Sequence, residues 1–174
     1  MPVQRLNHAV LYVRDVAASV AFYRDALGFR PVDGMQELRG AAFLQAPGSR
    51  NDHDLGLFEL GPQAGPSAAG RTSVGLYHLA WEVDTLTELE RVAAKLSELG
   101  ALVGASDHST TKALYARDPD GIEFEVCWLV PAELITPELL AGRAQIGPLD
   151  LAKEKERFGA DTRGGVGVSV PTGG

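Results

Sequence analysis

The sequence predicts an α+β fold: two βαβββ modules in tandem forming one curved mixed sheet, followed by a C-terminal arm. Three observations carry this expectation. Alternating, strand-like runs and a helical run follow one another in the same order in each half of the chain. Helix start and stop signals recur at matched positions. A Gly-, Pro- and Ala-rich stretch, GPQAGPSAAGRT at 61–72, separates the halves.

In the first half, NHAVLYVR (7–14) reads as a strand and DVAASVAFYRDAL (15–27) as a helix. Asp15 can cap that helix, Val16, Val20, Tyr23 and Leu27 recur at helical spacing, and Gly28 ends it. Short strands follow at about 30–37, 40–46 and 55–60. In the second half, YHLAWEV (77–83) is again a strand, Asp84 or Thr85 caps LTELERVAAKLSEL, and Gly100 ends it. Strands then follow at about 101–105, 111–117 and 122–128. His8 matches His78, Gly28 matches Gly100, and LFEL (57–60) reads against EFEV (123–126), which matches Glu59 with Glu125. The paired modules thus occupy 1–130, at about 5–60 and 75–128 with a linker at 61–74. One βαβββ unit cannot cover both faces of its own sheet, so two are expected to pack together. Residues 131–174 read as an arm with one or two short helices (TPELLAGRA, LDLAKEKERFG), pinned by the body or by a second subunit.

The bulk properties exclude several roles. A chain of 174 residues with net charge −7 is a poor partner for nucleic acid or an anionic membrane surface. No apolar run approaches the roughly 18 residues of a membrane span. The start, MPVQRLNHAVLYV, runs into a strand with no signal-peptide pattern. Cys127 is the only cysteine, so no internal disulfide forms, and a reducing, cytoplasmic setting is expected.

The repeat itself nominates a site. His8 and His78 share a position on the first strands, and Glu59 and Glu125 share one on the last. Each residue alone reads as an ordinary surface or hydrogen-bonded side chain. Their matched placement points instead to a metal, with imidazole and carboxylate suiting Fe, Mn, Ni, Zn or Co. Two His and one Glu would leave positions open, while two His and two Glu would make a more closed site. In ARDPDGIEFEV (116–126) a Pro-Gly turn leads into a strand with Ile122, Phe124 and Val126 on one face and Glu123 and Glu125 on the other. The carboxylate face looks either to water or into a cavity that needs negative charge.

LNHAVLYVRDVAASVAFYRDALGF, YHLAWEV and DPDGIEFEV resemble the vicinal oxygen chelate superfamily, over residues 5–128. That superfamily includes glyoxalase I, extradiol catechol dioxygenases and bleomycin resistance proteins. The resemblance implies metal ligands at His8, His78 and Glu125, with Glu59 as a candidate fourth. SRNDHDLGLFEL resembles the extradiol dioxygenase segment whose His, here His53, is the acid–base catalyst. DHSTTKALYARDPDG resembles the single-domain catechol dioxygenase pattern, which places Tyr115 on the substrate oxygen and His108 beside the O₂ side. The implied function is extradiol cleavage of a small aromatic diol by O₂ at Fe(II), with Mn, Ni and Zn as alternatives, in a homodimer. Phe43, Leu55, Leu57, Trp81 and Leu114 are expected around the substrate ring. A glyoxalase I-like lyase or isomerase, favoured if Glu59 ligates, and a small-molecule-binding resistance protein are the alternatives.

Overall fold

The computed structural model describes residues 2–3, 5–34, 39–69 and 72–165. The end of the strand expected at 30–37, residues 70–71 of the linker and the last nine residues of the arm lie outside the described residues. The chain divides into two compact units, Met1–Ala68 with Asp118–Gly121, and Ala69–Arg117 with Ile122–Gly174.

Unit 1 contains β1 (Ala9–Val13), α1 (Val16–Leu27), β2 (Arg30–Pro31), β3 (Ala41–Gln45) and β4 (Leu55–Glu59). Helix α1 starts where Asp15 accepts from the Ala18 amide at 3.0 Å. It ends at Gly28, whose left-handed φ of 75° lets its own N–H reach the Arg24 carbonyl at 2.9 Å. The sheet runs β1-β4-β3-β2, with β1 parallel to β4 and the other pairs antiparallel. Leu11, Val13, Leu44, Leu55 and Leu57 are buried on one face, and Tyr23 and Ala26 of α1 are buried with them. The buried stripe of α1 is Ser19, Tyr23 and Ala26 rather than the expected Val16–Val20–Tyr23–Leu27 row. Small residues at 19 and 26 let the helix sit close on either side of the Tyr23 ring. The Asp118–Gly121 turn belongs to this unit: Asp120 pairs with Arg14 at 2.6 Å and Asp118 accepts from the Tyr23 hydroxyl at 3.2 Å.

Unit 2 repeats the plan with β5 (Leu79–Glu82), α2 (Leu86–Glu98), β6 (Leu102–Asp107), β7 (Thr111–Arg117) and β8 (Glu123–Leu129). Thr85, not Asp84, caps α2 by accepting from the Glu88 amide at 3.1 Å. Leu86, Leu89, Val92 and Leu96 form its buried stripe. The strand order β5-β8-β7-β6 reproduces that of unit 1, again with a parallel first pair. The strands make two mixed sheets, one per module, where the tandem pattern predicts one curved mixed sheet. Each module's last strand pairs with its own first strand, so the hydrogen bonding closes locally.

The C-terminal stretch is pinned by the body of unit 2. It holds a short 3₁₀ turn, α3 (Pro137–Gly142), β9 (Gly147–Pro148) and α4 (Leu151–Phe158). Strand β9 extends the sheet by pairing with β6. Phe158 packs on Trp128 with ring centres 5.6 Å apart. Lys112, with no exposed side-chain surface, lies 2.6 Å from Asp107 and 2.8 Å from Glu154 of α4. Among the described residues no helix is long and apolar enough to cross a membrane.

Candidate metal and substrate site

Strand pairing assigns each candidate to a face. In unit 1, Val10 pairs with Gly56 and Gly56 with Phe43, while Tyr12 pairs with Phe58. These residues lie on the face opposite Leu11, Leu55 and Leu57, because successive side chains alternate. His8 shares their parity. Its ring centre is 4.5 Å from that of His53, which is 5.0 Å from that of Phe43. His8 Nδ1 faces Asn7 Oδ1 at 2.8 Å, and His53 Nδ1 faces Asp52 Oδ2 at 2.9 Å. A carboxylate only accepts, so His53 Nδ1 carries a proton, and in the neutral ring the lone pair is on Nε2. With the Asn7 amide oxygen as acceptor, the neutral ring of His8 likewise has its lone pair on Nε2.

Asn51, 9% exposed, ties the residue before His8 to the residue after His53. Its Nδ2 donates to the Asn7 carbonyl at 2.7 Å and to Asp54 Oδ1 at 2.8 Å, and its Oδ1 accepts from Arg5. This residue escaped sequence reasoning; the only signal was its place in a polar SRNDHD loop. His53 joins the His8 face even though strand parity would group it with Leu55 and Leu57. It precedes β4 in an irregular loop, so alternation does not reach it.

In unit 2, His78 Nε2 lies 3.3 Å from Glu125 Oε2. Tyr115 pairs with Glu125 across β7 and β8, and Glu125 with Ala80, so Tyr115 and Glu125 project from one face as expected. The Tyr115 ring stands edge-on to His78 with centres 6.0 Å apart. Its hydroxyl is 3.0 Å from His108 Nε2. Burial raises the Tyr115 phenol above its ordinary range, and the Glu125 carboxylate adds to this, so it stays protonated at neutral pH. Glu123 shares the face but pairs with Arg117 at 3.5 Å at the strand end. Of the expected ring-facing residues, Phe43 lies on the His8 face. Leu55, Leu57 and Leu114 are core residues, each at most 1% exposed, and Trp81 pairs with buried Val126 on the core side.

Glu59, the candidate fourth ligand, is placed differently from the other three. It pairs with Val13 and so lies on the face of Leu55 and Leu57, away from His8. Its Oε2 accepts from the Val16 amide at 3.2 Å, which satisfies one of the open N–H groups at the start of α1. The strand register also changes the correspondence between halves. Ala9 follows His8 and Leu79 follows His78; Val10 pairs with Gly56 where Ala80 pairs with Glu125. The counterpart of Glu125 is therefore Gly56, not Glu59. A Cβ at Gly56 would meet the Phe43 ring and the Val10 side chain at 3.4 Å each, about van der Waals contact.

The donor set fits a borderline divalent cation. An imidazole nitrogen and a carboxylate oxygen converge at His78 and Glu125, with no thiolate among them. His78 Nδ1 is buried without a hydrogen-bond partner. Among the described residues no group of three or more His, Cys, Asp or Glu side chains is gathered to hold a metal.

A family model described as the Glyoxalase/Bleomycin resistance protein/Dioxygenase superfamily matches residues 5–126. The chain belongs to this superfamily. Within it, the chain is 33% identical over 121 residues to a catechol-2,3-dioxygenase of Bacillus subtilis (strain 168), covering 70% of this chain and 40% of that protein. It is 30% identical over 128 residues to an iron-dependent extradiol dioxygenase of Rhodococcus jostii (strain RHA1), covering 70% and 42%. The chain thus spans about two fifths of the length of these relatives. A solved glyoxylase/bleomycin resistance protein/dioxygenase domain from Frankia sp. EAN1pec superposes with a TM-score of 0.59 at 25% identity, covering 72% of this chain and 92% of that one.

Proposed function

We propose that the chain is an extradiol ring-cleaving dioxygenase that opens a catechol-type substrate with O₂, with a mononuclear Fe(II) held by His8, His78 and Glu125. The observation that carries this reading is the count of carboxylates. The strand register gives the repeat one Glu, at position 125, and a Gly at its counterpart 56, which leaves two imidazoles and one carboxylate and so open positions for two further ligands. Glu59 at the start of α1 speaks against the four-ligand set of a glyoxalase-type site. The dioxygenase relatives support the same choice.

Fe(II), when bound, supplies a Lewis-acidic centre that lowers a diol pKa and couples the ring's electrons to O₂. The chain's own residues do the rest. His53 Nε2 accepts a diol proton and later returns it, while Asp52 holds the ring by Nδ1. Tyr115 offers its hydroxyl to a substrate oxygen, and His108 fixes the direction of that hydroxyl. Phe43 and Phe58, edge to face at 5.9 Å, offer an aromatic surface to a planar ring. The same reading takes the protein as a cytoplasmic homodimer, which sedimentation velocity would test.

The deciding experiment is anaerobic reconstitution with Fe(II), addition of a catechol panel, and admission of O₂ with uptake and visible absorbance followed together. A yellow ring-opened product in proportion to O₂ consumed supports the reading, and His53→Ala should then lose about 10²–10⁴-fold in kcat. Tight metal binding without uptake on any catechol would favour a metal-dependent lyase or isomerase. No metal binding would leave a binding module.

A further inference from the structure

We propose that the C-terminal segment 137–158, outside the family-matched residues 5–126, is a clamp that positions His108 against Tyr115. The inference rests on the reading of those two residues as part of the substrate site.

His108 sits in the three-residue turn between β6, which ends at Asp107, and β7, which begins at Thr111. The next residue, Ser109, has a φ of 68°, the one positive value at a non-glycine position among the described residues. A left-handed serine costs energy that a glycine would not, so the surrounding structure must hold it there. Two of the holding contacts come from α3. Ser109 Oγ donates to the Leu139 carbonyl at 2.7 Å. Gly142 lies so close that a Cβ there would stand 2.8 Å from Ser109 Oγ and 3.1 Å from Ser109 Cβ. The residue on the other side of His108 is fixed just as firmly. Asp107 pairs with Gly147 of β9, accepts from the Ser109 amide at 2.7 Å, and takes the Lys112 ammonium at 2.6 Å. Lys112 is itself locked to Glu154 of α4 at 2.8 Å. Both chain neighbours of His108 are thus anchored to the C-terminal segment. The residue between them inherits that position, and its Nε2 meets the Tyr115 hydroxyl at 3.0 Å.

Gly142→Ala and Ser109→Ala test the clamp. The first forces the Ser109 side chain away from Leu139; the second removes only the oxygen that reaches it. In ¹⁵N-histidine-labelled protein, each should shift the His108 ring nitrogens away from their hydrogen-bonded values and leave His8 and His53 unmoved. Ser109→Gly in the Gly142→Ala background should cancel the added effect of Gly142→Ala, because no side chain is left to displace. In Fe(II)-loaded protein that cleaves a catechol, both single variants should lower kcat/KM by about ten- to a hundredfold, the scale expected for a misplaced site group. Leu140→Ala, at an exposed position on the same helix, should change nothing. Unaltered His108 ring signals in folded Ser109→Ala and Gly142→Ala would overturn the proposal. The ring signals answer this even if no catechol is cleaved, so failure of the clamp and failure of the dioxygenase reading remain distinguishable. Should Gly142→Ala not fold, Ser109→Ala carries the test by itself.

Discussion

Replacing Glu59 by Ala should weaken the fold slightly and leave metal affinity untouched. Among the described residues the Glu59 side chain accepts one hydrogen bond, at Oε2 from the Val16 amide at 3.2 Å, at the first residue of α1. A carboxylate at a helix N-terminus is worth about 0.3–1 kcal/mol, and a solvent-accessible hydrogen bond falls in the same range, so the loss should be about 0.5–1 kcal/mol. For a chain of this size that lowers Tm by about 1–4 °C. Glu125→Ala makes the contrast. It removes the carboxylate facing His78 at 3.3 Å, and it should weaken metal binding by at least about 100-fold, since even outer partners of metal ligands are worth 10–100-fold. Thermal unfolding of the metal-free proteins gives the first number. Competition of Fe(II) or Zn(II) against a chromophoric chelator gives the second. A tenfold or greater loss of metal affinity in Glu59→Ala would refute the register argument and restore Glu59 as a ligand.

Three further outcomes follow from the burial pattern. Lys112→Met should destabilise unit 2 by about 3–5 kcal/mol, because Glu154 and Asp107 are left without their cation, and Lys112→Met with Glu154→Gln should recover part of the loss in urea titrations. The Cys127 thiol is pushed up to about 12 by burial, with Glu125 and Glu82 adding to it, so it should resist a thiol reagent at pH 8 until the protein unfolds. Its native value lies above the unfolded one, so its stabilising contribution is complete below about pH 9 and is lost as pH rises towards 12; Cys127→Ala should flatten that alkaline slope. Tyr23→Phe should cost about 1–2 kcal/mol at neutral pH by removing the bond to buried Asp118. Burial and then Asp118 hold the Tyr23 phenol well above its ordinary value, so the wild type should also lose stability above about pH 10 where Tyr23→Phe does not.

The fold was legible because its signals are local and duplicated. Asp15 and Gly28 bracket α1, Thr85 starts α2, and hydrophobic period separates helix from strand in both halves. Tyr115 and Glu125 could be placed on one face from sequence, since a regular turn preserves parity between paired strands. Parity carries no information where a loop interrupts it. His53 precedes β4 in a loop whose geometry is set by Asn51 and Asp54, and no count of alternating residues reaches across it. LFEL and EFEV match by letters alone, whereas the strand register sets Glu125 against Gly56, three residues before Glu59. Ser109 and Gly142 carried no sequence signal, because neither a left-handed serine nor the close approach of a helix to a turn shows in a single residue's identity.

The two modules share a topology and differ in what they present. Unit 2 brings imidazole, carboxylate and phenol together on one sheet face at His78, Glu125 and Tyr115. The equivalent face of unit 1 has His8 and His53 beside Phe43, with Gly56 where the carboxylate would stand. Repetition of the backbone therefore duplicates the sheet position without duplicating its carboxylate. That asymmetry has a chemical consequence. Had both modules kept a Glu at this register position, the repeat would offer two imidazoles and two carboxylates, a set suited to proton transfer on a substrate with little access to the metal. On the proposed reading, the glycine in one module leaves a single anionic donor, and the Phe43 ring beside it offers an apolar surface to a planar substrate. Restoring the carboxylate as Gly56→Glu, with Phe43→Ala to make room for it, should raise metal affinity and lower turnover of any catechol; a variant with unchanged affinity would place the second module's carboxylate, and not the first module's glycine, in sole control of the metal.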